Sequence, residues 1–272
     1  MSSFPPFAAR PLDASLRSEA LALAAEAGLH GVYLQNDLRA GLGETLALWG
    51  REGLLGCAWF GPRGNMVLVE REPLDPTLVA DAVQLARWPW RIALGPKAPI
   101  DALATRLSGP PLVLRDQIYY GTEPQRVARL PAAVDSRRAV RADRDRLMAA
   151  ALELNRSDLN VAPERVDRRW LRESVTARIN DGTSLVIGPE GGFYCKLDLG
   201  SYGPAGVVLE GVYTFPAARG KGHAAALVSA AASAANGPVV CLHVSATNLP
   251  ARRAYEHAGM EPRQSCRLLL CN

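Results

Sequence analysis

The sequence predicts an α/β protein with a mixed sheet, built as two halves of similar order. Helix and strand patterns alternate along the 272 residues, which is typical of α/β folds. Each half follows a rough order of helix, strands, helix, strand, helix and strand, so we expect an internal duplication of the fold without a clear sequence repeat. A strand, a glycine-rich loop and a helix start follow one another directly in the second half alone.

Composition indicates a folded globular chain with enough apolar residues for a core. Hydrophobic residues make up 48% and charged residues 21% of the sequence. The net charge of +4 is mild, and acidic residues interrupt the densest basic stretch, 137–146, so we interpret it as a solvated surface and expect no nucleic-acid partner. The apolar run 224–235 is too short to span a bilayer, so we expect no membrane association.

The cysteines favour a reducing compartment. There are five, and no two have the C-x-x-C spacing of a metal or redox motif, so we expect buried thiols and neither a metal site nor a disulfide framework. Residues 1–6 lack a charged segment followed by an apolar one, so we expect no leader peptide. Together these features predict a cytoplasmic protein.

Residues 1–125 are predicted to form the first domain. Periodicity and glycine or proline punctuation assign helices to 14–27, 76–87 and 100–107, and strands to 46–50, 56–60, 66–70, 90–94 and 112–120. Gly28 is a suitable C-cap for the first helix. The second helix places apolar residues on one face: Leu78, Val79, Ala82, Val83 and Ala86.

Residues 136–272 are predicted to form the second domain. Segment 122–135 carries Pro124 and Pro131 and no periodicity, so we place the boundary there. Helices are expected at 143–154, 166–179, 224–235 and 250–257, and strands at 138–141, 184–187, 193–197, 239–244 and 264–270. A further strand, rich in β-formers from Val207 onward, ends at Thr214 before Pro216.

The loop after that strand has the chemistry of a phosphate site. Arg219-Gly-Lys-Gly222 permits a tight turn, and the helix-forming run from Ala224 follows at once. The first N–H groups of a helix have no partner within it and lie at the positive end of its dipole, which attracts phosphate. The first half has no equivalent, because residues 67–70 lead straight to Pro73 and Pro76.

These residues resemble the GCN5-related N-acetyltransferases (GNAT), whose loop pattern is Q/R-x-x-G-x-G/A. Arg219 to Ala224 matches it, and Val212-Tyr-Thr-Phe-Pro216 resembles the fourth strand of that family. Asn248-x-x-Ala251-x-x-x-Tyr255-x-x-x-Gly259-Met260 resembles its asparagine–tyrosine helix, with Met260 in place of the common aromatic. The resemblance covers about residues 136–272 and implies the GNAT fold there, with the first half as a degenerate second copy that packs on the second half or walls the acceptor pocket.

The resemblance implies a site for acetyl-CoA as co-substrate. The N–H groups of Gly220, Lys221, Gly222, His223 and Ala224 would hold the pyrophosphate. Arg219 and Lys221 add positive charge, or are ordinary surface residues. The backbone of Val212, Tyr213 and Thr214 would pair with pantetheine by strand addition, since strands four and five splay apart in the family.

Asn248, Ala251, Arg252 and Tyr255 share one helix face by spacing. The resemblance implies that Asn248 bonds pantetheine and that the Tyr255 hydroxyl protonates the departing thiolate. The alternatives are that Asn248 is a helix N-cap and that Tyr255 is a core aromatic.

Glu210 is the candidate base that takes the acceptor's proton, acting through water; the alternative is a partly exposed strand glutamate. His243 is a second candidate base, or a hydrogen-bonded core histidine. Glu153 and Asp158, around the first helical hairpin of the second half, are candidates to face an amine substrate.

The sequence therefore predicts an acyl-CoA-dependent N-acyltransferase that moves acetyl to a small-molecule or peptide amine by direct attack, as a monomer or homodimer. A non-catalytic acyl-CoA-binding module is the alternative. A nucleotide enzyme is disfavoured because neither G-x-G-x-x-G after a first strand nor G-K-[ST] is present.

Overall fold

A computed structural model describes residues 7–127, 129–131 and 135–271. Residues 1–6, on which the expectation about a leader rests, lie outside this description, as do 128 and 132–134 of the predicted boundary segment. The chain divides into two compact units, which are described separately: unit 1 comprises Met1–Tyr119 and Gln264–Asn272, and unit 2 comprises Tyr120–Arg263.

The helices and strands occur in the same order in both halves of the sequence. The first ten are β1 Ala8–Pro11, α1 Arg17–Glu26, α2 Gly31–Ala40, β2 Glu44–Gly50, β3 Gly53–Phe60, β4 Asn65–Glu70, α3 Pro76–Leu85, β5 Ile92–Gly95, α4 Lys97–Ala104 and β6 Val113–Thr122. The next ten are β7 Ser136–Arg138, α5 Arg144–Leu159, α6 Arg168–Asn180, β8 Ser184–Ile187, β9 Cys195–Gly203, β10 Gly206–Thr214, α7 His223–Ser233, β11 Val240–Ser245, α8 Leu249–His257 and β12 Glu261–Leu270. Both series follow β-α-α-β-β-β-α-β-α-β, so the predicted tandem duplication is confirmed.

Unit 1 contains a mixed sheet with the strand order β1-β2-β3-β4-β5-β12. Only β4 and β5 form a parallel pair among the pairs between these strands, as the crossover through α3 requires. Leu78, Val79 and Ala82 of α3 are buried, as the apolar face of this helix predicts. Val79 and Ala82 belong to one core cluster with strand residues that include Leu46, Phe60 and Leu68.

Two elements of unit 1 were not predicted, namely β1 and α2. The sequence of α2 begins with glycine and β-formers, so its helical pattern is weak. Close packing explains the glycine: a Cβ at Gly31 would lie 1.7 Å from the carbonyl oxygen of Ala24 on α1. The two helices can therefore approach one another only with glycine at this position.

Most of the last strand of the chain, from Gln264 onward, belongs to unit 1. β12 pairs antiparallel with β5, with Arg267 opposite Gly95 and Leu270 opposite Ile92. The compact units therefore differ from the predicted ranges 1–125 and 136–272 at the C-terminus, because strand pairing and not chain order decides which sheet residues 264–270 complete.

Unit 2 contains the end of β6 and a sheet continuing in the order β11-β10-β9-β8-β7. β10 and β11 are parallel, whereas β7, β8, β9 and β10 pair antiparallel in sequence. Helices α5 and α6 cover one face through an apolar cluster that includes Leu147, Leu152, Leu171, Val186 and Phe193. Helix α7 follows β10 and is buried along most of its length.

Candidate functional site

The glycine loop joins β10 to α7 as predicted. A 3₁₀ turn at Pro216–Ala218 ends β10, and Gly220 and Gly222 then adopt left-handed φ angles of 74° and 77°. Gly222 is the N-cap of α7 and supplies no side-chain cap. A Cβ added at either glycine would meet no atom within 4 Å, so the loop borders open space. An uncapped helix start beside open space fits a phosphate group.

The side chains of the loop have distinct surroundings. Arg219 donates from Nε to the Thr214 carbonyl oxygen at 3.1 Å, and its guanidinium lies 5.9 Å from the centre of the Tyr213 ring. The Arg219 charge is therefore held against the end of β10. Lys221 is exposed. The His223 ring stacks on Tyr194 at 5.2 Å, a contact that gives this side chain a packing role beyond the N–H that the sequence assigned to it.

β10 and β11 separate next to this loop. They pair at Val207–Val240 and Val208–Cys241, and within these fully described strands the pairing ends there. Bulges against β9 follow after Val208 and between Glu210 and Tyr213. The edge of β10 at residues 212–214 is thus turned toward β11 without pairing with it. This is the separation that the resemblance implies for an extended ligand.

Asn248 is the N-cap of α8, as the second interpretation of this residue predicted. Its Oδ1 accepts a hydrogen bond from the Ala251 N–H at 3.2 Å, and Pro250 follows in the first turn. The cap uses the amide oxygen of Asn248 and does not involve its NH₂ group. The half-buried side chain can therefore cap the helix and donate to a ligand at the same time.

Tyr255 lies on α8 with only 6% of its surface exposed. Its ring makes an edge contact with Tyr120 at 6.0 Å. Burial, with smaller effects of Asp158 and Cys195, raises the pKa of Tyr255 well above its usual value. The phenol therefore keeps its proton at neutral pH and can donate a hydrogen bond.

Sequence reasoning missed Tyr120, at the end of β6. Its hydroxyl donates to Glu256 at 2.7 Å and accepts from Arg252 Nε at 3.0 Å. Arg252 also donates to the Ala246 carbonyl oxygen at 3.0 Å. Tyr120 thus holds α8 through residues on either side of Tyr255. Nothing in the local sequence of β6 signals this contact, because it joins residues far apart in the chain.

Glu210 lies on β10 opposite Asp198 of β9. Its carboxylate is 3.3 Å from Nη2 of Arg178 on α6. This ion pair engages the carboxylate form of Glu210, which is the form that can accept a proton. Glu210 is about one quarter exposed at its side chain, so water can reach it.

The other titratable candidates are dispersed. Glu153 bonds Arg156 at 2.7 Å, which is the main reason that the Glu153 pKa lies below its usual value. Asp158 lies close enough to Tyr255 to affect its pKa. His243 is half-buried on β11. The structure therefore places Asp158 near Tyr255 and Glu153 near Arg219 of the glycine loop.

The thiols are free and mostly buried. Cys195 accepts a hydrogen bond from Thr214 Oγ1 at 3.2 Å, and burial raises its pKa to about 11. It is therefore a thiol at neutral pH and a poor nucleophile. Among the described residues no group of three or more His, Cys, Asp or Glu is placed to hold a metal ion.

A family model identifies this part of the chain. Residues 162–260, which contain the loop, β10, β11 and α8, match the Acetyltransferase (GNAT) family. Over these residues the chain is similar to that family. Among curated protein sequences none matches the chain.

Solved structures show the same fold over almost the whole chain. A GCN5-related N-acetyltransferase from Sphaerobacter thermophilus is 18% identical, with a TM-score of 0.61 and coverage of 98% of this chain and 96% of that one. A Drosophila protein is 13% identical, with a TM-score of 0.65 and coverage of 96% and 98%. An acetyltransferase of the GNAT family from Colwellia psychrerythraea is 12% identical, with a TM-score of 0.54 and coverage of 96% and 99%. The chain therefore has the GNAT fold in two halves.

The corresponding helix start of unit 1 is closed to an anion. Asp75 caps α3, and its carboxylate accepts from the Thr77 N–H at 2.8 Å. Pro76 removes one N–H group from the first turn. A negative side chain thus occupies the position where unit 2 has an open glycine.

Proposed function

We propose that the protein is an acyl-CoA-dependent N-acyltransferase that moves acetyl from acetyl-CoA to a primary amine by direct attack in a ternary complex. The observation that carries this proposal is the separation of β10 and β11 beside the uncapped start of α7. That arrangement offers N–H groups for a pyrophosphate and an unpaired strand edge for an amide-rich chain, both within unit 2.

The residues divide the task of binding. The N–H groups of 220–224 hold the pyrophosphate, with Arg219 and Lys221 adding charge nearby. The backbone of 212–214 aligns the pantetheine arm, and the Asn248 NH₂ group donates to it. Acetyl-CoA supplies the activated acyl group as a thioester. Holding the amine and the thioester next to each other in the correct orientation removes much of the entropic barrier to the reaction.

Two residues are assigned roles in proton transfer and hydrogen bonding during the reaction. Glu210 accepts the proton of the acceptor ammonium, directly or through water. The protonated Tyr255 hydroxyl donates a hydrogen bond to the departing sulfur. Because the pKa of Tyr255 is raised, its hydroxyl stabilises the thiolate mainly by donating a hydrogen bond, and complete transfer of its proton to sulfur contributes less. The high pKa of buried Cys195 favours direct attack over a covalent enzyme intermediate.

Calorimetry with acetyl-CoA tests this function, and we expect binding with one site per chain. Absence of binding at millimolar ligand contradicts the proposal. Binding without turnover on any member of a broad amine panel instead favours the alternative, a non-catalytic acyl-CoA-binding protein. We further infer a monomer or homodimer in the cytoplasm; among the described residues no helix is long and apolar enough to cross a membrane.

A further inference from the structure

A row of polar residues crosses the sheet of unit 2 on the face that α6 covers. Ser184, Asp198 and Glu210 lie directly opposite one another on β8, β9 and β10. Two positions along β8, on the same face, Val186 belongs to the apolar cluster under α5 and α6. Burying a charge beside an apolar cluster costs free energy unless the charge is paired. Apolar packing alone therefore does not account for polar residues at these positions.

The charges form an inner and an outer pair. The ammonium group of Lys196 contacts Asp198, which also accepts from Ser184 Oγ at 2.6 Å. Lys196 and Asp198 are buried, with 4% and 7% exposed. Arg178 lies 3.5 Å from Asp198 and 3.3 Å from Glu210, and the side chains of Arg178 and Glu210 keep 20% and 27% exposure. The inner pair balances its own charge, and the outer pair reaches solvent.

The outer pair lies beside the proposed acyl site. Glu210 immediately precedes the β10 bulge at Gly211, whose φ is 56°. Leu154 of α5 and the Lys196 ammonium lie near Gly211 on the same face. Val212, the first residue of the edge assigned to pantetheine, follows directly. An amine held at Glu210 is therefore close to the strand segment that would hold the thioester.

Another arginine of unit 2 shows what a purely structural pair looks like. Arg137 holds Asp143 through two bonds of 2.6 and 3.0 Å, and the Asp143 side chain is fully buried. The contacts of Arg178 with two different carboxylates are longer, and its side chain is 20% exposed although Nη1 is buried. The Nη2 side of this guanidinium, next to Glu210, suits a charge-assisted contact with a carboxylate brought by a ligand.

We propose that Arg178 and Glu210 together recognise an acceptor that carries a carboxylate next to its amine, as a free α-amino acid does. This inference rests on the proposed acyltransferase function. The acceptor carboxylate bonds Arg178, and its ammonium group lies against Glu210. Because the bound carboxylate then balances the Arg178 charge, the Glu210 carboxylate becomes a stronger proton acceptor when the correct acceptor is present.

The reaction balances without a further reactant. The acceptor ammonium loses one proton to Glu210, and the amine forms a bond to the acetyl carbon. The bond from that carbon to sulfur breaks, the nitrogen loses a second proton as the amide forms, and the coenzyme A thiolate takes up that proton. Glu210 returns its proton to water, and the product is an N-acetyl amino acid.

The test compares free amino acids with their α-amides, using the full chain and measuring thiol release from acetyl-CoA. We expect the wild type to prefer the acid over the matched amide by at least about tenfold in kcat/KM, the size of a charge-assisted contact. Arg178→Gln should bring that ratio close to one, and Arg178→Lys should keep part of it. The exposed Arg172→Gln on the same helix is the control and should leave the ratio unchanged.

The ratio is internal to each variant, so partial loss of folded protein does not affect it. A wild type that uses the amides as well as the acids overturns the inference and leaves the acyltransferase function standing. Acetyl-CoA binding with no turnover of any standard amino acid overturns it as well. Failure to bind acetyl-CoA would instead remove the proposed function itself.

Discussion

The surroundings of Tyr255 decide what this residue can contribute. It is buried, its ring contacts Tyr120, and its pKa is raised by burial, so the hydroxyl keeps its proton across the neutral range. A core aromatic and a hydrogen-bond donor to sulfur are therefore compatible descriptions of one side chain.

Replacement of Tyr255 by Phe removes the hydroxyl and keeps the ring packing. We expect kcat to fall about 10²-fold, the lower end of the range for acid–base groups, while the Kd for acetyl-CoA stays near the wild-type value. Turnover assays and calorimetry on the same preparation check this. Unchanged turnover would show that the Tyr255 hydroxyl has no part in the chemistry.

Asn248 can be tested for two roles separately. Asn248→Ala should lower the free energy of unfolding by about 1 kcal/mol through loss of the cap and should also weaken acetyl-CoA binding. Asn248→Ser keeps a capping oxygen but lacks the NH₂ group, so we expect restored stability with binding still weakened. Urea unfolding and calorimetry measure the two effects.

Asp167→Ala provides the matched control, because Asp167 caps α6 by accepting from the N–H groups of Arg169 and Trp170. This variant should lose similar stability and retain acetyl-CoA affinity. If Asn248→Ser recovers both properties, Asn248 is a cap only.

At the scale of elements, the connection from β10 to α7 in unit 2 is open to an anion, whereas the corresponding connection from β4 to α3 in unit 1 is closed to one. In unit 2 it ends in an open, uncapped glycine, and in unit 1 it ends in Asp75 followed by Pro76. Backbone conformation at Gly222 is central to this difference, because its left-handed φ is unfavourable for other residues.

Gly222→Ala tests the loop. We expect about 1–2 kcal/mol of lost stability from strain and a Kd for acetyl-CoA raised about tenfold as the loop N–H groups move. Gly41→Ala is the control, since Gly41 ends α2 in unit 1 with a φ of 68° and equally open surroundings. It should cost similar stability and leave binding unchanged. Equal affinity in both variants would contradict a role for the loop.

At the scale of the whole molecule, unit 1 depends on the last residues of the chain. β12 pairs with β5, and Leu269 lies in the unit 1 core. Arg267 bonds Asp101 of α4 and lies 2.9 Å from Asp116 of β6. Residues more than 140 positions apart in sequence therefore stabilise one unit.

Arg267→Ala should destabilise unit 1 by about 1–3 kcal/mol, because Asp101 loses its partner and Asp116 keeps only Lys97. Hydrogen exchange should rise in α4 and β5, while the amides of β8 and β9 in unit 2 remain protected. The exposed Arg263→Ala, just before this segment, is the control and should change neither. Equal loss of protection in both units would contradict a specific role in unit 1.

The sequence by itself determined the succession of most helices and strands, the duplicated order and the glycine loop before α7. These features follow from periodicity, caps and turns, which act between neighbouring residues. Which strand β12 joins, how Tyr120 holds α8, and how Arg178 reaches Glu210 were decided by tertiary structure alone. Each of these contacts joins residues that are distant in the chain, and its energy depends on which surfaces packing brings together.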